Sequence, residues 1–158
     1  MTGGQELMLE LGRVTQRKPP FKYSSLTRVG FSDTDAQGIV YYGRYLPYFD
    51  QARVEYFRHL GLLMRRPDDN EFVMRASTIE YHAPARFDDL LEVFIRVSRI
   101  GRTSATCLYD AFRVEDDALM VTASQTLVLV DLAERKACTI PDSFRQTIRE
   151  LEGDDLDA

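Results

Sequence analysis

The residues best placed for chemistry are the two aspartates of FSDTDAQGIVYYG, residues 31–43. Asp33 and Asp35 stand one residue apart and are followed by Gly38 and an apolar run, Ile39-Val40-Tyr41-Tyr42. A carboxylate just ahead of a helix start lies near amides without intrahelical acceptors and near the positive end of the helix macrodipole. Two readings follow. Asp33 or Asp35 caps a turn, the ordinary use of Asp between periodic segments. Alternatively, one carboxylate faces a substrate carbonyl while helix-start amides hold the developing oxyanion. The stretch by itself leaves both open. The rest of the chain offers no glycine-rich phosphate loop, no G-x-S-x-G elbow, and no Cys or Ser with a nearby His to activate it.

The elements that must position these aspartates read as one helix and a set of strands. Residues 1–20 end in Lys18-Pro19-Pro20 and read as a flexible N-terminal arm without regular structure. KYSSLTRVGF (22–31) is rich in β-branched and aromatic residues and predicts a first strand, stopped by the turn formers of SDTDAQG. From Tyr45 the apolar positions Tyr45, Phe49, Ala52, Tyr56 and Leu60 recur at helical spacing, so an amphipathic helix begins near Arg44 and Gly61 is its natural stop. Pro47 fits only in the first turn, where its missing N–H costs nothing. That leaves the amides around Gly38 to Gly43 uncommitted. After a polar loop, LLMRRPDDN, the period drops to two. EFVMRASTIEY, LLEVFIRVSR, RTSATCLYDAFRV and ALMVTASQTLVLVD predict long antiparallel strands, with turns at Ile100-Gly101 and Glu115-Asp116-Asp117. PDSFRQTIRELEG predicts a closing helix from Pro141 or Asp142. The domain therefore spans 21–152, with an acidic tail at 153–158.

Composition narrows the function classes. A 158-residue chain with 44% hydrophobic and 28% charged residues is long enough to bury a core as one domain. A net charge of -5 disfavours nucleic acid as a partner. Cys107 and Cys138 lie far apart with no second thiol or histidine at ligand spacing, so a cytoplasmic protein without disulfide framework or metal is expected. No apolar run approaches bilayer-spanning length, which argues against membrane insertion.

The stretch DTDAQGIVYYGRYLPYFDQARVEYFRHLG resembles the signature of the 4-hydroxybenzoyl-CoA thioesterase type of hotdog-fold enzymes, including bacterial acyl-CoA thioesterases associated with the Tol-Pal cluster. The likeness continues through YHAPARFDDLLEV, RIGRTS and IPDSFRQTI, from about Lys22 to Ile148. It implies an α+β hotdog fold, a long central helix wrapped by a mainly antiparallel sheet. It further implies subunits paired edge to edge as a homodimer or homotetramer, with active sites at the interface. The activity implied is hydrolysis of an acyl- or aryl-CoA thioester without metal or redox cofactor, coenzyme A being part of the substrate. The alternatives are an acyl-carrier-protein thioesterase and a non-catalytic acyl-CoA binding protein on the same fold.

Carried over on this resemblance, Asp35 matches the catalytic carboxylate, as nucleophile or general base. The Tyr42 amide matches the donor that polarises the thioester carbonyl, and Gly38 permits close backbone approach. Asp33 is left as a turn residue. Arg99 and Arg102, flanking the Ile100-Gly101 hairpin, match basic residues that hold the nucleotide end of CoA, and Tyr41 and Tyr45 are candidates to line the acyl or aryl pocket. Glu55, mid-helix, occupies the region where a second group of hotdog thioesterases places its carboxylate, but a helix-surface ion pair with Arg58 or Arg53 is the plainer reading. His59 in the last helical turn suits the helix C-terminus, and His82 reads as a surface or interface residue. Hotdog dehydratases need a histidine inside the helix motif, and none stands in this one.

Overall fold

The computed structural model describes residues 10–63 and 70–157. Helix α1 runs over Tyr45–His59, as its apolar stripe predicts, burying Tyr45, Tyr48, Phe49, Ala52 and Tyr56 on one side. It stops where Gly61 takes a φ of 72°, a left-handed conformation that glycine adopts without strain, and the Leu62 amide returns to the Phe57 carbonyl at 2.8 Å. Most of the predicted loop after it, residues 64–69, lies outside the described residues.

The strands form one antiparallel sheet. In chain order they are β1 (Gly12–Val14), β2 (Tyr23–Arg28), β3 (Asn70–Tyr81), β4 (Leu90–Ile100), β5 (Ser104–Arg113), β6 (Ala118–Asp131) and the short β7 (Lys136–Ala137). Among the described residues the spatial order is β1-β2-β4-β5-β6-β3, with β7 added to β6. This is a hotdog fold: α1 lies across the inner face, and the period-two strands turn their apolar residues toward it. Phe49, fully buried, packs tilted against Tyr109 of β5 with ring centroids 4.8 Å apart, and Tyr56 meets Tyr23 of β2 edge-on at 6.0 Å. Truncating a buried aromatic of this kind costs about 3–5 kcal/mol. The closing helix α2 (Asp142–Glu152) seats Phe144 and Ile148 in the same core.

Two departures from the sequence reading concern the ends of the chain. Ordered structure begins before Phe21: β1 pairs with β2 at Gly12↔Ser25 and Val14↔Tyr23, and residues 15–21 cross the outer face of the sheet. The arm is held because β4 turns Glu92 and Phe94 outward there. Glu92, 4% exposed, is met by Ser24, Arg13 and Arg17, and the Arg17 and Lys18 cations sit over the Phe94 and Phe112 rings at 5.5 and 4.2 Å. Burial alone would raise the Glu92 carboxyl, but Ser24 and the two guanidiniums outweigh it and hold the group below the usual carboxylate range. At the other end, the acidic tail folds back as a short turn at Gly153–Asp155, and the Asp157 amide bonds the Ser98 carbonyl at 2.7 Å. That contact falls where the β4–β5 register shifts between Val97 and Arg99. Lys22 and Arg96 fix the turn through Asp155. Among the described residues no helix is long and apolar enough to cross a membrane.

Candidate active site

Residues 34–40 form a miniature hairpin. Thr34 bridges Val40, the Asp35 amide donates to the Ile39 carbonyl at 2.8 Å, and Gly38 closes the turn with its amide on the Asp35 carbonyl at 3.0 Å. Gly38 sits at φ 79°, so the turn needs a glycine for conformational reasons as well as for access. The apolar residues after it are used at once: the Val40 amide donates to Ala85 at 2.9 Å and Ile39 bridges Arg86, so the hairpin is sewn to the segment leading into β4.

The two aspartates have different surroundings. One Asp33 carboxylate oxygen accepts the Gly30 amide at 2.9 Å and the Tyr48 hydroxyl at 2.7 Å, and Arg44 stands 3.9 Å from the other. Burial, then the bond to Asp33, raises the Tyr48 phenol well above its ordinary value, so it stays a donor. Asp33 therefore fastens the hairpin to the second turn of α1. Asp35 commits Oδ1 to the Gln37 amide at 2.8 Å, which orients the carboxylate, and Oδ2 has no hydrogen-bond partner among the described residues.

A cavity of about 380 Å³ opens beside Asp35, walled by Gln37, Ile39, Val40, Tyr42, Tyr45 and Tyr81. A short helical turn, Tyr42–Arg44, leads into α1, and the Tyr42 amide at its start has no acceptor among the described residues. Its peptide is fixed by the Arg44 amide on the Tyr41 carbonyl at 2.8 Å. Burial pushes the Tyr45 phenol up to about 12, so that hydroxyl keeps its proton. Among the described residues, one cavity is thus lined by a residue with a carboxylate oxygen without a partner and by a residue whose amide, near a helix N-terminus, has no acceptor.

A profile of the Thioesterase-like superfamily matches residues 29–148. The chain belongs to this superfamily. It is 32% identical over 132 residues to the acyl-CoA thioesterase YbgC of Haemophilus influenzae, covering 82% of this chain and 96% of that one. It is 35% identical over 122 residues to the acyl-CoA thioester hydrolase YbgC of Escherichia coli, covering 74% and 88%. In fold it superposes on Slr0204, a 1,4-dihydroxy-2-naphthoyl-CoA thioesterase from Synechocystis, with a TM-score of 0.75 at 23% identity, covering 82% and 96%.

In this thioesterase-like chain the remaining candidates fall into distinct places. Asp35, Tyr42 and Tyr45 line the cavity, whereas Gly38 does not line it and serves the turn between Gln37 and Ile39. Tyr41 does not line it; its exposed ring stacks on Tyr42 at 4.3 Å. Arg99 and Arg102 are far off in the same protomer. The cavity lies by Tyr81, paired with Val121, whereas the hairpin lies by Ser104, paired with Val128, seven residues along β6 and roughly 23 Å at about 3.3 Å per residue. Arg99 is tied by a backbone bridge to Asp157, and Arg102 reaches Thr139. Glu55 pairs with Arg58 at 3.3 Å as expected but is not on the surface: the arm covers it, and the Leu11 amide donates to its other oxygen at 3.2 Å. His59 faces Glu10 at 3.2 Å and packs on Tyr23. His82 borders the cavity, and its ring Nε2 stands 3.0 Å from the Thr122 hydroxyl. Sequence reasoning missed Tyr48 and Tyr81 as supports of the site; Tyr48 lies outside the stripe of Tyr45, Phe49, Ala52, Tyr56 and Leu60, and strand alternation gave Tyr81 no distinct role.

Proposed function

We propose that the protein hydrolyses acyl- or aryl-CoA thioesters, with Asp35 as the catalytic carboxylate and the Tyr42 amide as the oxyanion donor. The observation that supports this reading is one cavity lined by both Asp35, which has a carboxylate oxygen without a partner, and Tyr42, whose amide has no acceptor, among the described residues. As a nucleophile, the Asp35 oxygen adds to the thioester carbon, Tyr42 N–H holds the oxyanion, and collapse expels CoA thiolate and leaves a mixed anhydride that water cleaves. As a general base, Asp35 takes a proton from water, whose oxygen adds directly to the same carbon. Both routes convert thioester and water to acid and thiol, and neither draws on a cofactor. The YbgC relatives, named as acyl-CoA thioesterases, support the substrate class; the Synechocystis structure supports the fold.

The reading includes a homodimer. Among the described residues β3 is the last strand of the sheet, paired with β6, and its Val73, Met74 and Tyr81 are at least 40% exposed. Two-fold pairing of such edges is antiparallel and sets the Asn70 end of one protomer beside the Tyr81 end of its partner. Arg99 and Arg102 then serve the CoA phosphates in trans, since in cis they lie at the wrong end of the sheet. A homotetramer adds a second dimer to this unit. Free Cys107 and Cys138 accord with a cytoplasmic setting.

The test is thiol release from a panel of short, long and aromatic acyl-CoA esters, comparing wild type with Asp35→Asn at matched folding and oligomeric state. Turnover should fall by roughly 10²–10⁴ while the esters still bind. An Asp35→Asn variant of full activity sinks the assignment. A single turnover in ¹⁸O-water tests the nucleophilic route: label in the Asp35 side chain requires an anhydride that water cleaves at the Asp35 carboxyl carbon.

A further inference from the structure

The Tyr42 amide begins a helical turn of three residues, too short to hold itself through a ladder of i to i−4 bonds. The peptide before Tyr42 is fixed locally through Arg44 and Tyr41. The peptide after it is fixed by a single long-range bond: the Tyr81 hydroxyl, at the end of β3, donates to the Tyr42 carbonyl at 3.0 Å. The Tyr81 ring also lies edge-on to Tyr45, the first residue of α1, with centroids 5.8 Å apart. Ring and hydroxyl together clamp the start of α1 to the edge strand. Burial raises the Tyr81 phenol, and the nearby Tyr42 phenol adds to this. The hydroxyl is therefore held as a donor.

We infer that Tyr81 is a positioning residue of the reaction: its hydroxyl sets the backbone of Tyr42 so that the amide points at the oxyanion. This rests on the reading of Tyr42 as oxyanion donor given above. Its ring leaves β3, the last strand of the sheet among the described residues, so the same residue links the proposed subunit contact to the oxyanion site. A bond from a half-exposed phenol contributes only modestly to folding. Its larger effect is on the transition state, where a misaimed donor loses part of the roughly 10²–10³ that a direct oxyanion donor supplies.

Tyr81→Phe keeps the ring on Tyr45 and removes only the hydroxyl. The expected result is a kcat lower by about tenfold with KM within about twofold, at unchanged oligomeric state. A spectroscopic readout separates positioning from mere support. A non-hydrolysable ketone analogue of the acyl-CoA, ¹³C-labelled at the carbonyl, is bound to the Asp35→Asn protein and to the Asp35→Asn, Tyr81→Phe double variant. Its infrared carbonyl band should lie at lower wavenumber in the protein that retains Tyr81. An unchanged band, or a loss confined to KM, overturns the proposal. If Asp35→Asn abolishes turnover while Tyr81→Phe is fully active, Tyr81 alone is refuted. If Asp35→Asn is itself fully active, the catalytic reading fails first.

Discussion

The division of labour between the two aspartates can be measured through Asp33 and Tyr48. The side chain of Asp33 is 19% exposed and accepts Gly30 N–H and Tyr48 O–H on one oxygen. Hydrogen bonds to a charged partner are worth about 1.5–3 kcal/mol each, and a buried hydroxyl left without an acceptor costs about 1–3 kcal/mol. The Arg44 contact, at 3.9 Å and half exposed, adds little. Asp33→Ala should therefore destabilise by about 3 kcal/mol, because the buried Tyr48 hydroxyl is orphaned. At about 2–4 °C per kcal/mol for a chain of this length, Tm should fall by roughly 6–12 °C. Tyr48→Phe alone should cost about 1–2 kcal/mol. The double variant should cost well under the sum, with a coupling near ~2 kcal/mol, since a phenylalanine ring in place of Tyr48 needs no acceptor. The assay is a double-mutant cycle by chemical denaturation at fixed protein concentration, because subunit pairing makes stability depend on concentration. Strictly additive effects would refute the bond as the link between hairpin and helix. Loss of turnover in Asp33→Asn with stability unchanged, beside an active Asp35→Asn, would exchange the roles of the two residues.

Two further perturbations probe the ends of the chain. Glu152 is buried, one oxygen taking Tyr56 O–H at 2.6 Å and the Val97 amide at 3.2 Å while the other has no partner among the described residues. Burial raises its carboxyl above the ordinary 4.5 against these donors, so its contribution to stability is full below 4.5 and is lost as pH rises through the raised folded value. Glu152→Gln should therefore gain on wild type as pH rises from about 4 to about 8, and a wild-type advantage in Tm that grows with pH would contradict this. At the other end, a Cβ on Gly12 would lie 2.2 Å from the Tyr23 hydroxyl oxygen. Gly12→Ala should displace β1 at a cost of about 1–3 kcal/mol, read as faster proteolysis of residues 10–20; unchanged proteolysis would show that the arm is not held there.

The long elements were legible because each carries its own period. Tyr45, Phe49, Ala52 and Tyr56 mark α1, and the alternation through Val93, Ile95 and Val97 marks β4, without knowledge of any partner. β1 was not legible because a three-residue strand has too little pattern to announce itself. Its place is set by Tyr23, Ser24 and Glu92, all distant in sequence from at least part of the arm. Glu55 was misplaced on the surface for the same reason, since what buries it is Leu11 and its neighbours. At the site, a turn was legible from Asp and Gly, but the hairpin that the turn closes and the roles within it were not. Tyr48 falls fifteen residues after Asp33 and Tyr81 thirty-nine after Tyr42, separations that no local rule connects.

The spacing of the polar knot and its abrupt apolar sequel have one physical cause. A carboxylate that is to react needs a free oxygen at a fixed place, and a short exposed loop cannot fix anything through its own few bonds. Asp33 supplies an anchor to α1, and Ile39 and Val40 supply a second to the segment before β4. Between these anchors the turn at Asp35 to Gly38 is held at both ends, so one oxygen on the Gln37 amide suffices to aim the carboxylate and the other is left for the proposed attack. The apolar run continues into Tyr42 because the same anchoring must reach the amide across the cavity. Polarity at Ile39 or Val40 would loosen the hairpin and the helix start together, and with them both proposed partners of the thioester carbonyl.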